Sequence, residues 1–543
     1  MKFDKIFLDK KDELPLLILL LGVLFLLYLQ LQIPDEVFFS GDAGPKLLLT
    51  KQFASGNFQI DLDLPAASWV RNLWSSGLYP FEAPFVYNIN NQYYTQYYFI
   101  FPLFSAPFYA LCGWRGLYII PLVSTWIIWW RFYVVCQHFR LGNLSTSLGL
   151  ATLIFASPLS LYSAMYWEHA PGITLAFWGL SIILVPTAQG LSKKAAILSG
   201  ILIGLSVWIR QELILFVLAL FLWIWISNQQ KFVLKRKAIF SVSMLLAVGL
   251  FFVLNVIVYK HPLGTYSISL GINSTPSGEV YTDSVATKRF WQGISLFFKV
   301  LANLVRRLFL YLPITIFPIF YTLLLFCRKK TSKIQPIINV LGWMGLPILL
   351  AVPLTGWDGG TEWGPRYLLM LVPLIVLMAT IVLNYLLRIH RSNLRSISLA
   401  GFIILLITGT YINTYRGTIV LKRNYEQVVL PALQFIRTNR NSVVAVPSSH
   451  IPLGFVSIFN EKVFFLVKSN EDFQKLSLAL LEQGQRRFLY MVVQDHQEKV
   501  NDLELLLGNK QLAIQFTKQG KFGSHILYEA SIVETLEVMD SKL

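Results

Sequence analysis

Asp42 is the first residue of this sequence whose type and surroundings could support chemistry. It lies in FSGDAGPK (residues 39–46), a turn-forming stretch directly after the first long apolar run. A partly desolvated carboxylate has a raised pKa and can accept a proton near neutrality. Local sequence alone favours another interpretation, because an Asp before a helix that starts with Pro commonly caps that helix.

Arg366 is the second candidate, in GWDGGTEWGPRY (residues 356–367), where glycines and two tryptophans precede an apolar run. A planar guanidinium can bind phosphate oxygens through two hydrogen bonds and stays charged. An arginine that extends to the membrane interface beside aromatic anchors, such as Trp363, would show the same residue types. The residue types therefore leave both interpretations open.

Three weaker candidates come from short polar turns between apolar runs. The turn YWEHA contains Glu168 and His169, and the turn RQE contains Arg210 and Glu212. Charged groups near the membrane are costly and are usually paired or functional, and we favour a structural ion pair for these. Lys260 could add positive charge for a phosphate, although a Lys-His-Pro turn is more often an ordinary loop.

These residues must be positioned by helices in lipid. The chain has 543 residues, of which 55% are hydrophobic, 15% aromatic and only 14% charged, a composition that excludes an ordinary soluble protein. The three cysteines are Cys112, Cys136 and Cys327, and their spacing favours neither a disulfide framework nor a thiolate zinc site. Eleven apolar runs predict spanning helices, near 14–33, 116–136, 145–164, 171–186, 195–209, 213–227, 238–259, 308–327, 337–355, 367–387 and 396–414.

Charge placement predicts the orientation. With a cytoplasmic N-terminus, the inner segments carry 18 Lys and Arg in 57 residues and the outer segments 11 in 131, as the positive-inside rule requires. The net charge of +17 therefore reflects topology, and we predict no nucleic-acid partner. All twelve acids between Leu14 and Asn424 would face outward, which predicts that the chemistry does so too.

Two domains are predicted, a transmembrane domain over 1–424 and a soluble extracytoplasmic α/β domain over 425–543. In the second, β-like runs at 442–447, 462–467 and 487–493 alternate with a helical pattern at 470–483. The long first outer loop, 34–96, should contain a short amphipathic helix at 46–55. It also contains many aromatic residues and Glu82, a guessed substrate contact.

An acid just beyond the first spanning helix, followed by a long loop and the segment YYFIFPLFSAPFYALCG (97–113), resembles the GT-C membrane glycosyltransferases. The similarity is greatest to the dolichyl-phosphate-mannose protein mannosyltransferases and the bacterial lipid A aminoarabinose transferases. The WGPRY run (363–367) also resembles bacterial members of this superfamily. The sequence departs from the mannosyltransferases at Ala43, where they commonly have Glu after Asp, and this leaves the acceptor open.

The resemblance implies an all-α polytopic fold and an enzyme in the plasma or inner membrane. That enzyme moves a sugar from a polyprenyl-phosphate donor to an acceptor hydroxyl on the outer face, usually with inversion. Asp42 would be the catalytic base, and Arg366, Arg210 and Lys260 would bind the donor phosphate. Glu168, His169, Trp363 and Glu82 would contact substrate. We predict no cofactor and no obligatory metal, membrane lipids as partners, and a lipid, polysaccharide or protein acceptor.

Two other functions fit the same sequence features. Many spans and an aromatic vestibule also suit a lipid-linked sugar flippase or another transporter, although transporters usually have polar groups near mid-membrane. The charges here gather at one face, and three of the predicted spans contain no ionisable residue. A noncatalytic membrane scaffold, with residues 425–543 binding partners, is the third hypothesis.

Overall fold

The computed structural model describes residues 13–89, 92–186, 190–226, 233–265, 283–327, 335–355, 363–389, 392–494, 503–507 and 510–535. These residues form two compact units. The helical unit comprises the described parts of Met1–Gln32, Tyr118–Gly264 and Asn273–Ile419, and the sheet unit those of Ile33–Leu117, Thr265–Ile272 and Val420–Leu543. The predicted acids Glu279, Asp358 and Glu362 lie outside the described residues, as does most of the glycine-rich loop before Trp363.

The helical unit is built from apolar helices. They are Glu13–Leu31, Ile119–His138, Asn143–Phe155, His169–Leu184, Lys193–Ile209, Ile214–Ile226, Leu234–Tyr259, Asp283–Tyr311, Ile316–Cys327, Gln335–Ala351, Leu371–Leu387 and Ser392–Thr410. Every predicted apolar run overlaps at least one of them. Large apolar side chains such as Leu17, Leu24 and Leu246 are exposed on these helices, as expected where hydrocarbon takes the place of a protein core.

Four helical stretches among the described residues, two of them made of consecutive helices, are long and apolar enough to cross a membrane: Glu13–Leu31, Ile100–His138, Leu234–Tyr259 and Asn393–Thr438. A fifth span results if Gly293–Tyr311 and Pro313–Leu323, which are bent by 104° at the break between them, are counted together. The polytopic architecture agrees with the prediction, whereas the predicted count of eleven spans is not confirmed.

Glycines let two of these helices pack closely. Gly200 and Gly204 lie one turn apart on Lys193–Ile209, and a Cβ atom on Gly200 would be 2.5 Å from the carbonyl oxygen of Phe240. On Gly204, a Cβ atom would be 2.5 Å from the Cβ of Ala247. Close backbone approach at a small-xxx-small pair is a common means of helix association in membranes. It fixes Leu234–Tyr259 against Lys193–Ile209.

One predicted helix ends early. The run 145–164 was predicted as a single helix, but the structure ends it at Phe155, just before Ser157 and Pro158. Proline has no N–H to continue the helical ladder, and its ring disfavours helical geometry in the residue before it. The chain then continues, buried, through the short helix Leu159–Tyr162 to the helix that begins at His169. This segment supplies one wall of the candidate site.

The sheet unit contains the first loop and the C-terminal region. Its α-helices are Ala43–Ala54, Ser68–Leu73, Ile100–Cys112, Leu430–Thr438 and Asn470–Glu482, and π-helical turns occur at Trp74–Leu78 and Tyr425–Val429. The helix predicted at 46–55 is present, but it is not amphipathic, because every residue from Ala43 to Thr50 is buried. Pro107 lies inside Ile100–Cys112 without ending that helix.

A six-stranded sheet has the order β4-β3-β5-β8-β7-β6, and a separate antiparallel hairpin joins β1 to β2. The strands are β1 (Val86–Ile89), β2 (Gln92–Thr95), β3 (Val443–Val446), β4 (Val463–Leu466), β5 (Arg487–Val493), β6 (Leu503–Leu507), β7 (Lys510–Phe522) and β8 (His525–Thr535). Strand β3 is parallel to β4 and β5, and the remaining pairs are antiparallel. The predicted strands at 442–447, 462–467 and 487–493 are confirmed. So is the helix near 470–483, which Ser469 and Asp472 start with a capping box.

Candidate active site

An ion-pair cluster occupies the start of helix His169–Leu184. Arg210 Nη1 donates to Glu168 Oε1 at 2.8 Å, and Arg210 Nη2 donates to Glu212 Oε1. Arg210 Nη1 also lies 3.4 Å from His169 Nδ1, which must accept because a guanidinium only donates. The Glu168 residue is only 7% exposed. A buried carboxylate of this kind requires a charged partner, and Arg210 supplies it.

Arg366 lies beside this cluster. Its guanidinium carbon is 5.8 Å from the ring centroid of Trp167 and 5.3 Å from that of Tyr367, with the group over both rings. The positive charges of Arg366 and Arg210 repel each other. Arg210 is compensated directly by two carboxylates, whereas Arg366 is oriented by aromatic faces. Aromatic faces attract a cation and leave the guanidinium edge suited to binding an anion.

Trp363 lies three residues before Arg366, and hydrogen bonds fix both its main chain and its side chain. The hydroxyl of Tyr162 donates to the Trp363 carbonyl oxygen at 2.8 Å, and Trp363 Nε1 donates to Asn413 Oδ1 at 3.2 Å. The Trp363 ring also meets that of Tyr311 edge-on, with centroids 5.2 Å apart. The main chain leading to Arg366 is therefore fixed by three side chains from distant segments.

Gly364 makes the turn between Trp363 and Arg366. Its φ of +78° lies in the left-handed region, where glycine is favoured. A Cβ atom there would be 3.2 Å from Pro158 Cβ and 3.6 Å from Tyr311 Cβ. Conformation and crowding both favour glycine at this position.

Asn413 hydrogen-bonds to main-chain carbonyl groups from three segments of the helical unit. Its Nδ2 donates to the carbonyl oxygens of Tyr311, Gly409 and Ala156, at 2.8, 3.1 and 3.2 Å. The N–H of Thr315 would serve the Tyr311 carbonyl in a continuous helix, but it donates to Leu312 instead. Unsatisfied carbonyls are costly where water is scarce, so Asn413 replaces the donors that the helix breaks remove. Asn413 itself lies in a π-helical turn, Tyr411–Arg416.

Asp42 lies in the sheet unit, at the residue before helix Ala43–Ala54. Its side chain makes no capping hydrogen bond, so the cap interpretation is not supported. The helix start is fixed by close packing, because a Cβ atom on Gly44 would be 2.4 Å from the Leu453 carbonyl oxygen. Lys46, one turn further on, is 1% exposed, and its ammonium lies 4.1 Å from the centroid of the Tyr97 ring.

Two other predicted site residues make local contacts. Glu82, in the sheet unit, accepts from Lys468 Nζ and, at 3.4 Å, from the Ser449 hydroxyl. These contacts give Glu82 a role in joining the first loop to the C-terminal region. Lys260 ends helix Leu234–Tyr259 in left-handed geometry, and its ammonium donates to the Ile257 carbonyl at 3.2 Å.

The structure thus brings together five of the predicted residues in the helical unit: Glu168, His169, Arg210, Trp363 and Arg366. Sequence analysis missed Asn413 and Tyr162. The one available signal was an amide in the otherwise apolar run 396–414. Among the described residues, no three His, Cys, Asp or Glu side chains are grouped so as to hold a metal ion.

Comparison with known proteins identifies the fold. No family model matches this sequence, and no curated protein does either. ArnT from Cupriavidus metallidurans, solved bound to undecaprenyl phosphate, is similar with a TM-score of 0.52 and 12% identity, over 95% of this chain and 97% of ArnT. The apo oligosaccharyltransferase of Archaeoglobus fulgidus gives a TM-score of 0.50 and 10% identity, over 89% of this chain and 70% of that one. Both are GT-C glycosyltransferases, and the predicted resemblance is confirmed: this chain has the GT-C fold of a polytopic membrane protein.

Proposed function

We propose that this chain transfers a sugar from a polyprenyl-phosphate donor to an acceptor hydroxyl at the outer face of the membrane. The observation that carries this proposal is the fold likeness, over nearly the whole chain, to ArnT bound to undecaprenyl phosphate. Fold alone does not assign function, so the proposal also depends on the chemistry of the site. An arginine over two aromatic faces, beside compensated charges, suits a phosphate monoanion or diester.

The reaction breaks the bond between the anomeric carbon and the phosphate oxygen. The acceptor hydroxyl oxygen attacks that carbon from the opposite side, which inverts its configuration. Asp42 takes the hydroxyl proton, and the polyprenyl phosphate leaves with the bonding electron pair. Arg366 stabilises the negative charge on that phosphate as it departs. Arg210 acts as a support, because Glu168 and Glu212 hold it, and His169 and Trp363 complete the wall.

The same proposal includes the finer topology. The shorter apolar helices, such as Asn143–Phe155 and His169–Leu184, also cross the bilayer and complete the eleven spans. The N-terminus is cytoplasmic, and residues 425–543 lie outside the plasma or inner membrane.

The test is a transfer assay with purified protein in nanodiscs. A panel of polyprenyl-phosphate sugars is offered with lipid, polysaccharide and peptide acceptors, and products are identified by mass spectrometry. We expect one donor class to yield a glycosidic product. Asp42→Asn should reduce the rate by roughly 100-fold or more, because general-base catalysis typically contributes about 10²–10⁴-fold.

The matched control is Asp35→Asn. Asp35 lies in the same loop, but its carboxylate is exposed and pairs with Arg115 Nε at 3.2 Å. Exposed pairs contribute little, so this variant should keep nearly the wild-type rate. Full activity in Asp42→Asn would remove Asp42 as the base. Translocation of a lipid-linked sugar without a new glycosidic bond would favour the transporter hypothesis.

A further inference from the structure

A cavity of about 300 Å³ lies within the sheet unit, between helix Ala43–Ala54 and the chain around strand β4. Its volume is at the lower end of the range for small-molecule sites, roughly 300–1,000 Å³. The proposed transfer reaction does not use this cavity. Seven polar and seven apolar residues line it.

Three aromatic rings, those of Trp74, Phe459 and Phe464, form part of the apolar lining, and they are held rigidly. Trp74 Nε1 donates to the Phe464 carbonyl oxygen at 3.1 Å, which fixes the plane of the indole. The rings of Phe459 and Phe464 are stacked, with centroids 4.8 Å apart and planes 15° apart. Phe81 also stacks on Phe459, with the ring centroids 5.4 Å apart. Aromatic side chains fixed in this way can contact the C–H groups of a sugar ring at little cost in conformational entropy.

Amides, a hydroxyl and a carboxylate form the polar part. Gln52 shapes it, because its amide donates to the carbonyl oxygens of Gln59 and Asp61 and accepts from the Asp63 N–H. This loop presents Asn57 and Asp63 to the cavity, and Asn460 lies across the lining from another segment. Amides and carboxylates together offer both donors and acceptors, as the hydroxyl groups of a saccharide require.

Two lysines also line the cavity, and both ammonium groups are hydrogen-bonded to main-chain carbonyl oxygens. Lys462 Nζ donates to the carbonyl oxygens of Asn441, at 2.8 Å, and Asn439. Lys51 Nζ donates to the Ser457 carbonyl oxygen at 3.3 Å and lies 5.3 Å from the centroid of the Trp114 ring. Burial lowers the pKa of both ammonium groups. With the Asp63 carboxylate in the same lining, the cavity suits a neutral ligand better than an anion.

We propose that this cavity binds one sugar residue of a neutral glycan. A rigid aromatic surface, a mixed set of hydrogen-bonding groups and engaged cations together match the two faces of a saccharide. The conclusion that this glycan is the acceptor, or part of it, rests on the proposed transfer reaction. Saccharide binding itself does not rest on it, because the cavity lies wholly within one unit and needs no donor.

The test is saturation-transfer difference NMR on the full-length protein in nanodiscs, without donor. The ligands are neutral methyl glycosides of hexoses, pentoses and N-acetylhexosamines, with inorganic phosphate as the anionic comparison. We expect at least one glycoside to bind. Ser55→Phe, at the exposed end of the lining, should fill the cavity and abolish binding. Asn460→Ala should weaken binding about fivefold, the loss of roughly one hydrogen bond.

Asn72→Ala is the matched control, because Asn72 is an exposed asparagine of the same unit that does not line the cavity. It should bind as the wild type does, and circular dichroism should show all three variants folded. The proposal is overturned if no glycoside binds, if Ser55→Phe and Asn460→Ala bind normally, or if phosphate binds in preference to every glycoside. Loss of transfer in Asp42→Asn with glycoside binding retained would separate the two sites. Glycoside binding without any detectable transfer would count against the proposed function alone.

Discussion

At the scale of single residues, Arg210 and Arg366 show how neighbours determine what one type of side chain can do. Arg210 contacts two carboxylates, Glu168 and Glu212, so its charge is balanced within the protein. Arg366 lies over the rings of Trp167 and Tyr367, which attract and orient its guanidinium. The same residue type therefore serves as a structural tie in one position and as a phosphate ligand, in our proposal, in the other.

Replacing Arg366 by alanine should reduce kcat/KM for the lipid-linked donor by roughly 10- to 100-fold, the usual worth of a hydrogen bond to a charged group. Arg366→Lys should recover only part of this loss, because an ammonium cannot bind two phosphate oxygens in the planar fork of arginine. Initial rates at varied donor concentration measure the effect. Arg388→Ala, an exposed arginine of the same unit, is the control. Unchanged donor kinetics in Arg366→Ala would exclude the phosphate role.

At the scale of helices and strands, the ends of the helices position the candidate site more directly than their interiors do. The helices that end at Phe155 and Tyr311 leave carbonyl groups without helical donors, which is costly where water is scarce. Asn413 donates to the carbonyls of Ala156 and Tyr311 at these ends and to that of Gly409 one turn before it, and it also accepts from Trp363. We regard Asn413 as a positioning residue, since it reaches Arg366 only through the Trp363 segment.

Asn413→Leu should raise the donor KM more than it lowers kcat, because it loosens the chain before Arg366 without removing a reacting group. Asn413→Asp should be similar, since a carboxylate cannot donate to the three carbonyls. Asn384→Ala is the control: Asn384 is also buried, and its Oδ1 accepts from the Gly142 N–H at 2.8 Å. Steady-state kinetics beside a thermal melt should show both positions destabilised, with donor KM altered only at Asn413. Equal KM values in the two variants would leave Asn413 a purely structural role.

Strand β8 begins with a histidine that makes the sheet sensitive to acid. Burial lowers the pKa of His525 to about 4. The unfolded chain, with a pKa near 6.5, therefore binds the proton more tightly than the folded chain does. The stability contributed by the neutral ring is complete above about pH 6.5 and is lost as pH falls towards 4. Between pH 7 and 4.5 the loss should be about 2.5 kcal/mol.

Hydrogen exchange of residues 525–535 at these two pH values measures this loss. The increase in exchange at pH 4.5 should be smaller in His525→Gln, which has no proton to gain. His450→Gln, at an exposed histidine, should respond as the wild type does. An acid response identical in all three proteins would show that His525 does not govern it.

An element could be predicted where a local sequence pattern determines it, and could not where contacts between distant residues do. Apolar runs and alternating patterns are local, so the helices and strands β3, β4 and β5 were foreseen, as was the helix that Ser469 caps. Two of the three carbonyls that Asn413 serves, those of Ala156 and Tyr311, are far from it in sequence, and no local pattern encodes them. The early end at Phe155 was encoded by Pro158, but the surrounding apolar run concealed it.

At the scale of the whole molecule, the sheet unit is assembled from opposite ends of the sequence. Arg437 pairs with Glu36, Asn424 Nδ2 donates to the Phe39 carbonyl oxygen, and Trp74 Nε1 donates to that of Phe464. The predicted boundary at 424/425 came from composition, which changes there. Composition does not indicate which early segment packs against which late strand. The packing of the first loop against the C-terminal region therefore could not be predicted.

Phe81→Ala should therefore loosen strand β4, although the two are far apart in sequence. The Phe81 ring is buried and stacks on Phe459 at 5.4 Å, and such truncations cost about 3–5 kcal/mol. Hydrogen exchange in Val463–Leu466 should rise in this variant. Phe58→Ala, at an exposed phenylalanine of the same loop, should leave it unchanged. Protection of β4 that survives Phe81→Ala would mean that the C-terminal strands are stable without the first loop.

Gly44 shows how this assembly restricts the substitutions that can be accepted during evolution. The space that a methyl group would need there is occupied by the main-chain oxygen of Leu453, and main-chain atoms cannot be exchanged by mutation. A substitution of this glycine displaces the start of the helix that follows the proposed base, and no substitution at Leu453 itself can make room for it. We expect lineages to retain this glycine for reasons of space alone, and compensating changes to be found in the length or course of the C-terminal turn.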